Sequence, residues 1–216
     1  MKRQGKTGLC GRSALVCVFL WFAGAFAAPV FADTLAFLNA DPPLGTTFRS
    51  AGIPIGAGAY LSIGASDVTI SQIAINAAPG QDGQLKFVIF ADTDSQSVTD
   101  PLLFSDTVNV TASGTLSYIL SDPISFTLQA GHYYDIGAIF DGSSINYSYD
   151  LVANTQNGIS SIVANANFDN FTAPIVDNHA GADINIGLYV VPEPSGLTLA
   201  SLGLGMFACL RRHCRK

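Results

Sequence analysis

The chain has 216 residues, of which 49% are hydrophobic and only 12% charged, with a formal net charge of −6. Soluble domains usually carry about 25% charged residues, so an acidic disordered tail, a charged coiled coil and a basic nucleic-acid binder are excluded. The charges are also segregated: between residues 33 and 193, Arg49 and Lys86 face fifteen Asp and one Glu, a formal charge of −14, and the other cations lie at the two ends. A body of that sign repels DNA and RNA.

The first 32 residues read as a secretory signal. Lys2, Arg3, Lys6 and Arg12 form a basic region, an apolar run follows over residues 14–28, and small-residue cleavage sites come next. Val30-Phe31-Ala32 places the cut between Ala32 and Asp33; Ala25-Phe26-Ala27 is the second site, and an uncleaved membrane anchor is the alternative. Cys10 precedes the apolar run, which argues against lipid attachment.

Residues 33–190 read as one domain built of strands. Asp67-Val68-Thr69-Ile70 and Ile73-Ala74-Ile75 alternate apolar and polar positions, with a phase slip at Ser71-Gln72 of the kind a β-bulge produces. After the turn-forming residues 79–83, strand signals recur at 84–90, 102–110, 115–120, 124–128, 133–140, 145–152 and 184–191. Ser113-Gly114, Asp122-Pro123, Ala130-Gly131 and Asp141-Gly142 punctuate them. Residues 153–182, rich in Asn and Ala, read as a long loop or two weak strands. No helical repeat of useful length occurs in the body. The expectation is an all-β domain, an antiparallel jelly-roll-like sandwich of eight to ten strands. Cys10, Cys17, Cys209 and Cys214 all fall in the end segments, so no disulfide supports this body, and its stability must come from core packing.

The last 26 residues, 191–216, form a three-part segment. Pro192, Glu193 and Pro194 stop the preceding strand, because each proline lacks an N–H and fixes φ. Residues 197–210 are uncharged and apolar, and Arg211, Arg212, Arg215 and Lys216 follow. Fourteen helical residues span about 21 Å against a hydrocarbon core of ~30 Å, which suits a transient anchor better than a permanent one. The basic ends place both termini in the cytoplasm during export and the body across the membrane.

In this order, the Pro-Glu-Pro motif, short transmembrane helix and basic cluster closely resemble the PEP-CTERM sorting signal. The resemblance implies processing by an exosortase, a membrane transpeptidase-like cysteine protease, with signal peptidase acting at the other end. His213 and Cys214 interrupt the usual basic cluster. A plain tail anchor is the alternative. The family context implies an exported, non-enzymatic cell-surface or extracellular-matrix protein, structural or adhesive, associated with exopolysaccharide or biofilm. Residues 126–139 also look like the penultimate hairpin of jelly-roll domains in such proteins.

No catalytic residues are assigned. His132 and His179 both read as exposed turn residues, and no nucleophile elbow or zinc-type spacing appears. Most Asp residues, including Asp82, Asp122 and Asp141, sit in turns where they satisfy backbone amides, so a secreted hydrolase with paired carboxylates is the least favoured reading. Asp92, Asp94 and Asp100 form a weak candidate Ca²⁺ loop that lacks the EF-hand Gly and Glu; no other metal or cofactor is expected. Tyr133, Tyr134, Tyr147 and Tyr149 fall in two adjacent strands. If Tyr147 and Tyr149 face outward they form a sugar-stacking platform, as in a carbohydrate-binding module; if inward, they are core.

Overall fold

A computed structural model describes residues 34–38, 45–50, 55–92, 101–180 and 183–190. The signal peptide with its Ala32/Asp33 cut, the Pro192-Glu193-Pro194 motif, the apolar run and basic tail, and Asp94 and Asp100 all lie outside the described residues.

Among these residues the secondary structure is entirely strand, in two antiparallel sheets. In chain order the strands are β1 (Thr34–Leu38), β2 (Gly45–Ser50), β3 (Gly56–Ile63), β4 (Val68–Pro79), β5 (Gly83–Asp92), β6 (Leu102–Val110), β7 (Ser117–Leu120) and β8 (Phe126–Leu128). They continue as β9 (Tyr133–Phe140), β10 (Ser144–Asp150), β11 (Thr155–Gln156), β12 (Ile159–Asp169), β13 (Ile175–Ala180), β14 (Asp183–Ile184) and β15 (Ile186–Val190). The first sheet is ordered β1-β15-β4-β10-β14, with β2 on β10 and β7 and β8 on β4; the second is β11-β12-β3-β9-β5-β6, with β13 on β12.

The spine of the first sheet is β4, whose twelve residues pair β15 and then β10 along one edge, β8 and then β7 along the other. The expected phase slip is present. Register shifts where Gln72 pairs Tyr189 but Ile70, not Ser71, pairs Val190, so Ile70 and Ile73 both point into the core. In the second sheet, Leu85, Phe87 and Ile89 of β5 and Ile136, Ala138 and Phe140 of β9 face the same interior. Side chains of the two sheets thereby make one core. Alternation at period two puts every second residue of a strand on that face, which is why local pattern predicts these strands well.

The structure exceeds the sequence reading in the number of strands and in two regions. Fifteen strands are described rather than eight to ten, partly because long strands are paired by several short ones. β3 forms from a Gly- and Ala-rich stretch of low strand propensity, held by neighbours on both edges. Of the two readings of residues 153–182, strands hold over the loop, and they are longer than expected: β11, β12 and β13 occupy much of 155–180. Asn157 and Gly158, with φ of 49° and 78°, make a two-residue turn that pairs Gln156 with Ile159, and the eleven-residue β12 then runs the length of β3. Asn157 is anchored as well, its side-chain Nδ2 donating to the Ala36 carbonyl at 2.7 Å.

The second sheet folds over its own outer face. β13 extends the ladder beyond β12, yet His179 of β13 reaches Asp135 of β9, and the Phe171 carbonyl between β12 and β13 accepts a hydrogen bond from Lys86 Nζ of β5. A register break between Ile162 and Asn165 supplies the bend. Glycines supply the room: a Cβ on Gly58 would lie 2.3 Å from the Ile136 carbonyl oxygen and 2.7 Å from the Phe168 ring. Phe168 stacks on Phe90 (centroids 5.6 Å, 15° between planes), and with Val88, Ile139, Ala166 and Val176 they make a second apolar cluster under the hairpin.

Candidate functional site

The fold-over brings together Asp92, Asp135 and His179. Asp135 and Asp92 lie on adjacent strands, their partners being Tyr60 and Phe90 for Asp135 and Tyr133 for Asp92. Both project from the outer face, since Tyr134 and Ile136, the neighbours of Asp135, point into the core. The hairpin lays His179 over them. Its Nε2 is 3.0 Å from Asp135 Oδ2, 3.2 Å from Asp135 Oδ1 and 3.9 Å from Asp92 Oδ2. When Nε2 carries the proton it donates to the Asp135 carboxylate.

The site is almost dry. The Asp92 and Asp135 residues are 8% and 0% exposed, and the His179 side chain 5%. Desolvation pushes the Asp135 carboxyl above its ordinary value; the His179 hydrogen bond and charge pull it down, and the charge of Asp92 pushes it up again. Tyr60 packs beside His179 (centroids 5.7 Å, 60° between planes) and stacks on Tyr133 at 5.6 Å. Lys86, one of the two cations of the body, is engaged at the hairpin tip, with Nζ 4.4 Å above the Phe171 ring.

Several sequence expectations meet their outcome here. His132 is exposed beside its turn, as expected. His179 is not an exposed turn residue: it sits in a strand and is buried against a carboxylate, because the fold-over covers it. Asp82, Asp141 and Asp67 accept backbone hydrogen bonds, but from Ala112, Gln84 and Ala130, amides 30, 57 and 63 residues away rather than those of their own turns. Asp92 belongs to a buried strand end instead. The four tyrosines do not share a surface. Tyr147 is fully buried, its hydroxyl 2.9 Å from the Ile55 carbonyl and 3.1 Å from that of Ala138; Tyr149 packs against the same core, and the Tyr134 hydroxyl accepts from the Gln129 amide. Tyr134, Tyr147 and Tyr149 are core, the second of the two outcomes weighed for Tyr147 and Tyr149, whereas Tyr133 lies half-buried on the outer face, stacked on Tyr60.

Asp135 was not singled out by the sequence reading. The signal was a lone acid inside the otherwise uncharged run Tyr133–Phe140, where a charge is buried only if something compensates it. No protein-family model matches the chain, and no curated protein matches it significantly.

Proposed function

We propose that this chain is an exported protein, processed at both ends and delivered to the cell envelope, cell surface or extracellular matrix, where its β domain acts without catalysis in structure or adhesion. One observation carries the reading: the succession of Pro192-Glu193-Pro194, the uncharged run 197–210 and the cations Arg211, Arg212, Arg215 and Lys216. That succession resembles the PEP-CTERM signal read by exosortase. The basic, then apolar, then small-residue order of residues 1–32 supports export through the same membrane, with signal peptidase cutting after Ala32. The two sheets and shared core support the finer reading of a jelly-roll-like β-sandwich. The acidic body, with two cations against fifteen Asp before the motif, suits a protein kept dispersed in a polysaccharide matrix.

A non-enzymatic role is supported by the burial of the Asp–His cluster. Its His179 side chain is 5% exposed beneath the hairpin, a position that fixes one part of the sheet to another.

The test is the intact mass of the protein recovered from membranes and from medium of its native host. The mature species is expected to begin at Asp33 and to have lost the segment after about Pro194. Glu193→Ala is expected to leave membrane-bound protein that retains Arg211 to Lys216, because Glu193 is the single acid of the motif and prolines on both sides disfavour helix there. An intact C-terminal peptide on the wild-type protein refutes the sorting reading and leaves a tail-anchored β domain.

A further inference from the structure

We propose that Asp92, Asp135 and His179 form a binding site for a divalent first-row transition-metal ion that staples the β12–β13 hairpin to the outer face of the second sheet. Three strands distant in sequence each deliver one donor: β5, β9 and β13. One donor atom from each lies within 4.8 Å of the other two.

The separations are those of a ligand set. Two ligands each ~2.0–2.2 Å from a common ion can be at most about 4.4 Å apart, and about 3.0 Å apart when they subtend a right angle. His179 Nε2 lies 3.0 Å from Asp135 Oδ2 and 3.9 Å from Asp92 Oδ2, both within that limit. The third separation, between an Asp92 and an Asp135 oxygen, is within 4.8 Å, so binding of the ion draws these two carboxylates together.

Charge points the same way. Asp92 and Asp135 are buried side by side, where carboxylates repel strongly and each ionised form is poorly solvated. His179 can carry at most one positive charge, which offsets one carboxylate. A dication offsets both and leaves His179 neutral, with the Nε2 proton released to solvent as the metal takes its place.

The donor types select the ion. Ca²⁺ and Mg²⁺ take sets made of oxygen, whereas one imidazole with two carboxylates suits Zn²⁺, Mn²⁺ or Fe²⁺. Three protein ligands leave a coordination position for water. This differs from a Ca²⁺ loop at Asp92, Asp94 and Asp100: Asp92 is shared, but its partners are across the sheet. The proposal is independent of the export reading.

The full chain in mild detergent, stripped with chelator, is titrated separately with Zn²⁺, Mn²⁺ and Ca²⁺. Bound metal is measured after dialysis and unfolding is followed by circular dichroism. The wild type is expected to retain one more equivalent of Zn²⁺ or Mn²⁺ than His179→Gln or Asp92→Asn, with affinity lowered at least 100-fold in each variant. Its midpoint temperature should rise by several degrees up to one equivalent; both variants should show no rise, and Ca²⁺ should bind at least tenfold more weakly. Equal metal content in all three proteins assigns the metal to His213 and the terminal cysteines and overturns the proposal. Metal retained without a thermal shift overturns the staple. If the variants do not fold, Co²⁺-loaded wild type decides: visible d–d bands without thiolate charge transfer support the site, and thiolate bands or no bands refute it.

Discussion

Truncating Phe168 to alanine tests whether the β12–β13 hairpin is packed over the second sheet or merely added to its edge. Phe168 is fully buried and stacked on Phe90, itself 1% exposed. Burial of a phenylalanine side chain contributes about 1.5–3 kcal/mol by transfer alone. Stacked rings add about 0.5–1.5 kcal/mol. The cavity left between Gly58, Ile139 and Val176 cannot close easily, because Gly58 already lies 2.3 Å, measured from an added Cβ, from the Ile136 backbone. The expected loss is therefore about 3–5 kcal/mol, the range for Phe→Ala in a packed core. Urea unfolding followed by far-UV circular dichroism reads it as a lower midpoint at unchanged slope. Combined with Phe90→Ala, the two losses should fall short of additive by more than about 0.5 kcal/mol, since the rings touch. A residue on an exposed edge ribbon changes stability by about 0.5 kcal/mol or less. A loss below about 1 kcal/mol, or strict additivity with Phe90→Ala, refutes the fold-over.

Two further substitutions probe the same framework. Gly58→Ala is expected to abolish folding or cost more than about 3 kcal/mol, since its Cβ meets main-chain atoms of β9 that cannot retreat without opening the ladder, whereas Gly114→Ala, with nothing within 4 Å, should be neutral within about 0.5 kcal/mol; thermal unfolding of both compares them, and equal midpoints refute the close approach. Tyr147→Phe removes the hydroxyl between the Ile55 and Ala138 carbonyls and is expected to cost about 1–2 kcal/mol in urea unfolding, with no change if that hydroxyl is not the donor those buried carbonyls use.

Much of the strand content was legible in residue order. In β5 and β9 the alternation is local, each apolar residue two positions from the next, so Leu85 to Ile89 and Ile136 to Phe140 announce a buried face without reference to any partner. The bulge at Ser71 was legible for the same reason, as a break in that period. Asp82 and Asp141 were legible as turn residues, but the amides they accept from, those of Ala112 and Gln84, lie 30 and 57 residues away and follow from the tertiary structure. The Asn157-Gly158 turn was equally available as a hairpin signal, though the Asn- and Ala-rich composition around it masked β12.

Tertiary structure decided the rest. Gly56 and Gly58 look like strand breakers in sequence; only the Phe168 backbone and ring lying on them show why a side chain is excluded there. Register brought Asp135 beside Asp92, and the fold-over carried His179 across to both. Convergence of this kind has no local period: each of the three residues sits in an unremarkable context, and the compensation of one buried charge by another depends on separations that exist only once the sheet has closed on itself. The proposed N- and C-terminal address signals are the reverse case: a peptidase that reads a short contiguous stretch would find the order of basic, apolar and proline-bounded residues in the sequence alone.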